Sequence, residues 1–217
     1  LDKIVEDKRL EVAKLSSTSS LKKLESKSLF SRKCISLKDS ILKSPCGIIC
    51  EFKRRSPSNN NINYKSDISE VVRGYEKAGA AGLSILTNKK YFDGDIKDVL
   101  NIIDIASIPI LRKEFIISEY QIIESKSIGS DAILLIASIL SKEEIKNFSS
   151  LAKSLGLEVL YEIHDARELE KISWDNTDII GVNNRNLDTL EIDIQNSIDV
   201  YSMIPESFVK ISESGIS

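Results

Sequence analysis

The fold is decided by a short apolar segment that ends in charged residues, Gly47-Ile48-Ile49-Cys50-Glu51-Phe52-Lys53-Arg54-Arg55-Ser56-Pro57-Ser58. β-Branched and aromatic side chains alternate with other residues over its first half, which predicts a buried strand. Because side chains in a strand alternate between its faces, Glu51 and Lys53 point into the same space where the strand ends. A buried carboxylate and ammonium cost several kcal/mol unless they pair or serve a site. For this segment alone, a paired salt bridge and a functional site both remain open.

Strand-like runs recur along the rest of the chain, with helix-like runs between them. The strands are predicted at residues 48–53, 83–86, 109–113, 132–136, 158–162, 179–183 and 208–212, and the helices at 66–78, 96–106, 119–128, 142–155, 166–172 and 194–203. Such βα repetition predicts a parallel sheet. The first strand is followed by Ser-Pro-Ser and not by G-x-G-x-x-G, so the pattern favours a (β/α)8 TIM barrel over a doubly wound sheet. A complete barrel needs about 250 residues, and the eighth βα unit is expected to be missing from these 217 residues.

Residues 1–46 precede the first strand and carry amphipathic helix-like segments around a Ser/Lys-rich stretch. They predict an N-terminal helical extension, with the barrel strands beginning at residue 47. The hydrophobic content of 41% supports one sizeable core, so residues 1–217 are expected to form a single domain.

Composition also bounds the function and the location. A net charge of −3 without a broad basic field excludes nucleic acid as the expected partner. No run of about 18 apolar residues predicts a membrane span, and no signal peptide opens the sequence. Cys34, Cys46 and Cys50 lack a C-x-x-C spacing, so they are expected to be small buried hydrophobic residues in a reducing cytoplasm, without a metal site or a disulfide.

Polar residues occupy the ends of most predicted strands, where the active site of such a barrel lies. The last inward positions and their neighbours are Glu51 with Lys53, Lys113, Glu162, Asn183 with Arg185, and Glu213 with Ser214. Any one of them is more often part of a rim salt bridge. Their occurrence at five strands of seven is difficult to explain by packing, so we expect them to converge on one site. The two exceptions, Leu86 and Leu134, are expected to contact an apolar part of a substrate.

These residues stand in motifs that resemble the indole-3-glycerol phosphate synthase family, the ring-closing enzymes of tryptophan biosynthesis. The motifs occur in the family's order and cover essentially the whole chain: Glu51-Phe52-Lys53-Arg54-Arg55-Ser56-Pro57-Ser58, Leu86-Thr87-Asn88-Lys89-Lys90-Tyr91-Phe92-Asp93-Gly94, Leu111-Arg112-Lys113-Glu114-Phe115, Gly129-Ser130-Asp131-Ala132-Ile133-Leu134-Leu135-Ile136, Glu162-Ile163-His164-Asp165, Gly181-Val182-Asn183-Asn184-Arg185-Asn186-Leu187 and Ser212-Glu213-Ser214-Gly215-Ile216.

The resemblance implies a carbon–carbon lyase that needs no cofactor and no metal. Its reaction closes 1-(2-carboxyphenylamino)-1-deoxyribulose 5-phosphate to indole-3-glycerol phosphate with loss of carbon dioxide and water. Lys113 resembles the family's general acid for ring closure, and we expect burial or the neighbouring Lys53 to draw its pKa toward neutrality. Glu162 and Glu51 are the candidate acid–base pair for dehydration, and Lys53 is expected near the substrate carboxylate.

The same resemblance assigns substrate-binding residues. Asn183, Arg185 and Glu213 are expected to orient the substrate and its intermediates. The anthranilate ring is expected to pack on Phe115, Leu134 and Leu187, and the phosphate to bind Ser56, Ser214 and the backbone N–H of Gly215. The family's Gly-Ser turn after the eighth strand, which completes the phosphate site, does not occur in these 217 residues.

Two other functions remain open. Phosphoribosylanthranilate isomerase chemistry would use a Cys/Asp pair, and the Glu/Lys/Lys/Glu set argues against it. A truncated and inactive barrel could serve as a binding or scaffold fragment. The sole histidine, His164, is predicted to have a structural or supporting role. A monomer is expected, with fusion to or association with other tryptophan-pathway enzymes as the alternative.

Overall fold

A computed structural model describes residues 1–57, 61–186 and 189–216 of the chain. Its centre is one parallel sheet in which each strand pairs with the next along the sequence. The strands are β1 Ile49–Phe52, β2 Gly82–Leu86, β3 Ile110–Lys113, β4 Ala132–Ile136, β5 Glu158–Ile163, β6 Ile179–Asn183 and β7 Val209–Glu213. All seven predicted strands are therefore present.

The sheet curls, so that its first and last strands contribute to the same inward core. Side chains from six strands and from the segment before them meet there: Leu37, Ile49, Leu111, Leu134, Leu160, Ile179 and Val209. Within the described residues, β1 and β7 are the two edges of the sheet. This arrangement confirms the (β/α)8 fold without its last unit.

Helices cover the outside of the sheet and precede it. They are α1 Asp2–Thr18, α2 Leu21–Glu25, α3 Leu37–Lys43, α4 Ile68–Lys77, α5 Lys89–Phe92, α6 Ile96–Ile102, α7 Glu119–Ser127, α8 Lys142–Ser154 and α9 Gln195–Tyr201, with 3₁₀ turns at Ser28–Ser31, Ala137–Ile139, Ala166–Lys171 and Trp174–Asn176. Side chains begin several of them: Asp67 accepts from the N–H groups of Ser69 and Glu70, and Ser141 forms a reciprocal capping box with Glu144. No helix in these ranges combines the length and apolar character needed to cross a membrane.

Two local predictions are corrected. The helix expected at residues 166–172 is a six-residue 3₁₀ segment, Ala166–Lys171, the tighter geometry that short connecting segments commonly adopt. The cysteines are not buried: Cys46 is exposed, and Cys34 and Cys50 are half-buried. Cys50 belongs to β1, an edge strand of the described sheet, which leaves its outward face partly uncovered.

The N-terminal extension is helical as predicted, and it contacts both ends of the barrel. At the amino ends of the strands, Leu37 of α3 is fully buried against β2. A Cβ on Gly82 would lie 2.5 Å from Leu37 Cδ1, so glycine permits this close approach. At the carboxyl ends, the Nζ of Lys8 on α1 lies 3.1 Å from Glu114 Oε1, and both side chains are buried. Helix α1 is thus fixed beside the rim where the strands end.

Candidate active site

A cavity of about 1040 Å³ opens at the carboxyl ends of the strands and runs along the inner face of the sheet. Its lining includes every sequence-predicted site residue that the structure describes: Glu51, Lys53, Ser56, Lys113, Phe115, Leu134, Glu162, Asn183, Arg185, Glu213, Ser214 and Gly215. Leu187 lies outside the described residues. Side chains that are far apart in sequence therefore meet around one space.

The centre of the cavity is an ion cluster formed by side chains from β1, β3, β5 and β7, together with Lys53 just after β1. We call it the mouth cluster and define it as Glu51, Lys53, Lys113, Glu162 and Glu213. The Nζ of Lys113 contacts the Glu213 carboxylate and lies 3.3 Å from Glu162 Oε2. The Nζ of Lys53 lies 2.6 Å from Glu51 Oε1. Three carboxylates thus share two ammonium groups.

This geometry contradicts the expectation that the pKa of Lys113 is drawn toward neutrality. Burial alone would lower the pKa of Lys113 and is the largest single influence, but the carboxylates of Glu213, Glu162 and Glu51 together outweigh it and raise that pKa above its usual range. Lys53 pairs with Glu51 instead. Lys113 is therefore a protonated ammonium at neutral pH.

The pKa values of the two carboxylates beside Lys113 are shifted in opposite directions. Burial raises the pKa of Glu162, but Lys113 and then His164 outweigh burial and hold it well below its ordinary value. Burial and the charges of Glu162 and Glu51 raise the pKa of Glu213 despite its contact with Lys113. Groups whose environments separate their pKa values in this way are suited to different acid and base roles.

Asn183 connects the mouth cluster to the loop after β6. Its Nδ2 donates to Glu162 Oε1 at 3.1 Å, while its Oδ1 accepts from the backbone N–H of Arg185 at 3.0 Å and from Ser214 Oγ at 2.8 Å. The Arg185 guanidinium donates to the backbone oxygen of Leu190 at 2.8 Å. The amide therefore fixes Glu162 and both neighbouring loops together.

The apolar side of the cavity combines predicted and unpredicted residues. Leu134 is buried, and the Phe115 ring lies 6.2 Å from the ring of Phe92, measured between centroids. Leu1 and Ile4 from α1 also line the cavity. The sequence pattern predicted α1 as a helix but not its position, which several contacts fix, among them the buried pair of Lys8 with Glu114 and the pair of Asp7 with Lys90.

The residues expected to bind phosphate all line the cavity. Ser56, Ser214 and Gly215 all belong to its lining. Ser214 has a φ of 67° and Gly215 a φ of 75°. Left-handed backbone is uncommon for a serine, and such outliers cluster at functional sites. Successive backbone amides in such turns can form a concave site for an anion.

Taken together, a parallel barrel with an acid–base cluster at the carboxyl ends of its strands and an apolar cavity wall defines a TIM-barrel enzyme. Two solved structures agree on the fold alone: the one titled "Native KDPGal structure" (TM-score 0.53, 14% identity, covering 81% of this chain and 74% of that one), and the YdjI aldolase from Escherichia coli K12 (TM-score 0.50, 12% identity, 81% and 78%).

Sequence comparison identifies the family. The family model for indole-3-glycerol phosphate synthase matches residues 1–217. The indole-3-glycerol phosphate synthase of Bacteroides thetaiotaomicron is 43% identical over 217 residues, which are 100% of this chain and 83% of that protein. The enzyme of that name from Sulfurisphaera tokodaii is 46% identical over 169 residues, 78% and 68% of the two chains. The chain belongs to the indole-3-glycerol phosphate synthase family.

Proposed function

We propose that the protein closes 1-(2-carboxyphenylamino)-1-deoxyribulose 5-phosphate to indole-3-glycerol phosphate, releasing carbon dioxide and water. Family membership supports the lyase activity and the place in tryptophan biosynthesis. The observation that carries the assignment of residues is the meeting of Lys113, Glu162 and Glu213 from β3, β5 and β7 in one cavity.

In the first step, the ring carbon that carries the carboxylate attacks the substrate ketone and forms the new carbon–carbon bond. The ketone oxygen gains negative charge and takes a proton from the Lys113 ammonium. A raised pKa makes Lys113 a weak acid toward water, but it guarantees the protonated form on which general acid catalysis depends. Cleavage of the bond to the carboxyl group then releases carbon dioxide and restores the aromatic ring.

In the second step, the new hydroxyl group takes a proton from the Glu51–Lys53 pair and leaves as water, and a base removes a proton from the ring being formed. Glu162 is suited to be this base because its lowered pKa keeps it ionised. Glu51 and Lys53 form the second acid–base pair of the site, 2.6 Å apart, and Lys53 supplies a cation for the substrate carboxylate. Asn183 and Glu213 hold Glu162 and Lys113 in position.

Binding uses the two ends of the cavity. Phe115 and Leu134 pack on the anthranilate ring. Ser56, Ser214 and the N–H of Gly215 bind the phosphate, and Arg185 orients the sugar phosphate chain from the neighbouring loop. We further propose that residues 1–217 belong to a single domain that works as a monomer in the cytoplasm. The burial of Leu37 in the barrel core supports one domain.

The direct test is to incubate the protein with the carboxyphenylamino-ribulose phosphate and to follow the appearance of indole fluorescence. We expect product from this substrate and none from phosphoribosylanthranilate, the substrate of the alternative isomerase. A folded protein that leaves the first substrate unchanged would contradict the proposal.

A further inference from the structure

The only histidine of the chain lies against a proposed catalytic carboxylate. His164 follows β5 directly, and 14% of its side chain is exposed. Its Nε2 lies 3.3 Å from Glu162 Oε1, and its Nδ1 lies 3.7 Å from Glu168 Oε2. The imidazole therefore stands between two carboxylates, of which only Glu162 lines the cavity.

We propose that His164 is a positioning residue: as an imidazolium between Glu162 and Glu168, it keeps Glu162 ionised and directed at Lys113. The inference rests on the proposed function, in which Glu162 acts as the base. It assigns to His164 and Glu168 a part in setting the pH range of the reaction, although neither needs to touch the substrate.

The segment that carries the imidazole is fixed on two sides. The backbone N–H of His164 donates to Glu168 Oε2 at 2.7 Å, so Glu168 holds the main chain and faces the ring with the same oxygen. From α9, Asn196 Nδ2 donates to the carbonyl oxygens of His164 at 3.0 Å and of Asn183 at 3.2 Å. The backbone that carries the ring is therefore held in place beside Glu162.

The interaction combines charge with a long contact between the imidazole and the Glu162 carboxylate. Neither ring nitrogen has a hydrogen-bond partner of good geometry among the described residues, and separations of 3.3 and 3.7 Å exceed the usual length of such bonds. Opposite charges this close still interact strongly at a mostly buried site. His164 and Asn183 both approach Glu162 Oε1, so Oε2 remains directed at Lys113.

The charged groups around His164 favour its protonated form. Within the described part of the chain, Glu162 faces it from β5 and Glu168 from the 3₁₀ segment, while α9 and β6 present the neutral Asn196 and Asn183. Lys113 lies beyond Glu162. Burial alone would lower the pKa of His164, but the two carboxylates outweigh burial and raise it to about 9. In return, the imidazolium lowers the pKa of Glu162, second among the cations to Lys113.

A single histidine permits a direct test that needs no substrate. In protein labelled on histidine and prepared without a polyhistidine tag, the imidazole gives one resonance that can be followed by NMR from about pH 5 to 10. We expect a midpoint near 9, and a lower midpoint in each of the variants Glu168→Gln and Glu162→Gln. A wild-type midpoint near the ordinary value of about 6.5 would overturn the proposal.

Kinetics then separates positioning from a merely structural role. In His164→Gln, the acid limb of the kcat profile, which reports Glu162, is expected to move up by about one pH unit or more, with KM little changed. His164→Lys, which keeps a positive charge, is expected to remain closer to the wild type. Arg167→Gln is the matched control, because Arg167 lies on the same 3₁₀ segment but pairs with the exposed Asp165.

The outcomes are distinguishable. A uniform fall in kcat at every pH in His164→Gln, without a shift of the acid limb, would overturn the positioning role. If His164→Gln fails to fold, Glu168→Gln provides the same test, with a smaller shift expected. A wild-type protein that gives no product while its imidazole titrates near pH 9 would count against the proposed function, and not against the contact between His164 and Glu162.

Discussion

Two neighbouring residues on β3 show how differently one barrel uses a buried cation. Arg112 and Lys113 point to opposite faces of the strand, because side chains alternate. Arg112 is 2% exposed and donates to Thr87 Oγ1, the Gln121 carbonyl, Ser125 Oγ and Glu124 Oε2 at 2.8 to 3.1 Å. We call these residues the Arg112 cluster. It has one carboxylate for one guanidinium, and three neutral oxygens accept the other hydrogen bonds of the guanidinium.

The mouth cluster on the other face is not balanced in this way. Its three carboxylates exceed its two ammonium groups, and Glu213 Oε1 is buried without a hydrogen-bond partner among the described residues. Buried polar atoms are almost always satisfied in native proteins, so an unsatisfied one beside perturbed pKa values marks a place where a ligand's groups belong. We therefore propose that the Arg112 cluster stabilises the fold, whereas the mouth cluster holds the groups that react with the substrate.

The largest effect expected from this comparison is on catalysis at Lys113. Lys113→Ala removes the proposed general acid, a type of group worth about 10²–10⁴-fold in rate. We expect kcat to fall by that factor while substrate binding is partly kept, since the group acts mainly in the transition state. Single-turnover fluorescence and substrate titration measure the two effects. Lys43→Ala, at an exposed pair with Asp39, is the control and should leave kcat unchanged. Full turnover by Lys113→Ala would remove Lys113 from its role.

The next largest effect is expected on the free energy of unfolding, when the preceding residue, Arg112, is replaced. Arg112→Met leaves Glu124 buried without its cation, which typically costs about 3–5 kcal/mol of the free energy of unfolding. Denaturant unfolding measures this loss. The double variant Arg112→Met with Glu124→Leu should recover part of it, because a buried pair replaced by apolar residues is often neutral. A loss below about 1 kcal/mol in the single variant would show that the Arg112 cluster is not the structural element that its contacts indicate.

The alternation that separates Arg112 from Lys113 could be predicted from sequence, and so could the seven strands and the direction of their ends. Periodicity is a local property, and a parallel barrel brings all carboxyl ends to one rim. For this reason Glu51, Lys113, Glu162 and Glu213 could be placed around one cavity before any coordinates.

The electrostatics of the same residues could not be predicted in this way. The pKa of Lys113 depends on its distance to Glu213, one hundred residues later in the chain, and local patterns contain no such distance. The position of α1 was missed for a related reason. Lys8 looks like a surface residue of an amphipathic helix, yet it is buried beside Glu114, and the same helix places Leu1 and Ile4 in the cavity lining.

The smallest expected effect sharpens the comparison most, because a single substitution is expected to change kcat without lowering the free energy of unfolding. A Cβ on Gly181 of β6 would lie 2.1 Å from Glu213 Oε1 and 3.2 Å from its Cδ. The closest obstructed atoms are the end of a flexible side chain, so the Glu213 carboxylate can turn away from Lys113, and Ile211 Cγ1, at 3.3 Å, need move by only a few tenths of an ångström while the strand stays in place.

For Gly181→Ala we therefore expect an unfolding free energy no lower than that of the wild type, since alanine loses less backbone entropy than glycine on folding. Displacement of one group in a preorganised site by about 1 Å can cost on the order of 10²-fold in rate, and kcat should fall by up to this factor.

Gly74→Ala in α4 is the matched control, because its Cβ would meet nothing within 4 Å. It should stabilise the helix by about 0.5–1 kcal/mol and leave kcat unchanged. If Gly181→Ala loses stability and keeps its rate, the close approach of Glu213 to β6 stabilises the fold. That result would contradict the distinction between a structural Arg112 cluster and a functional mouth cluster.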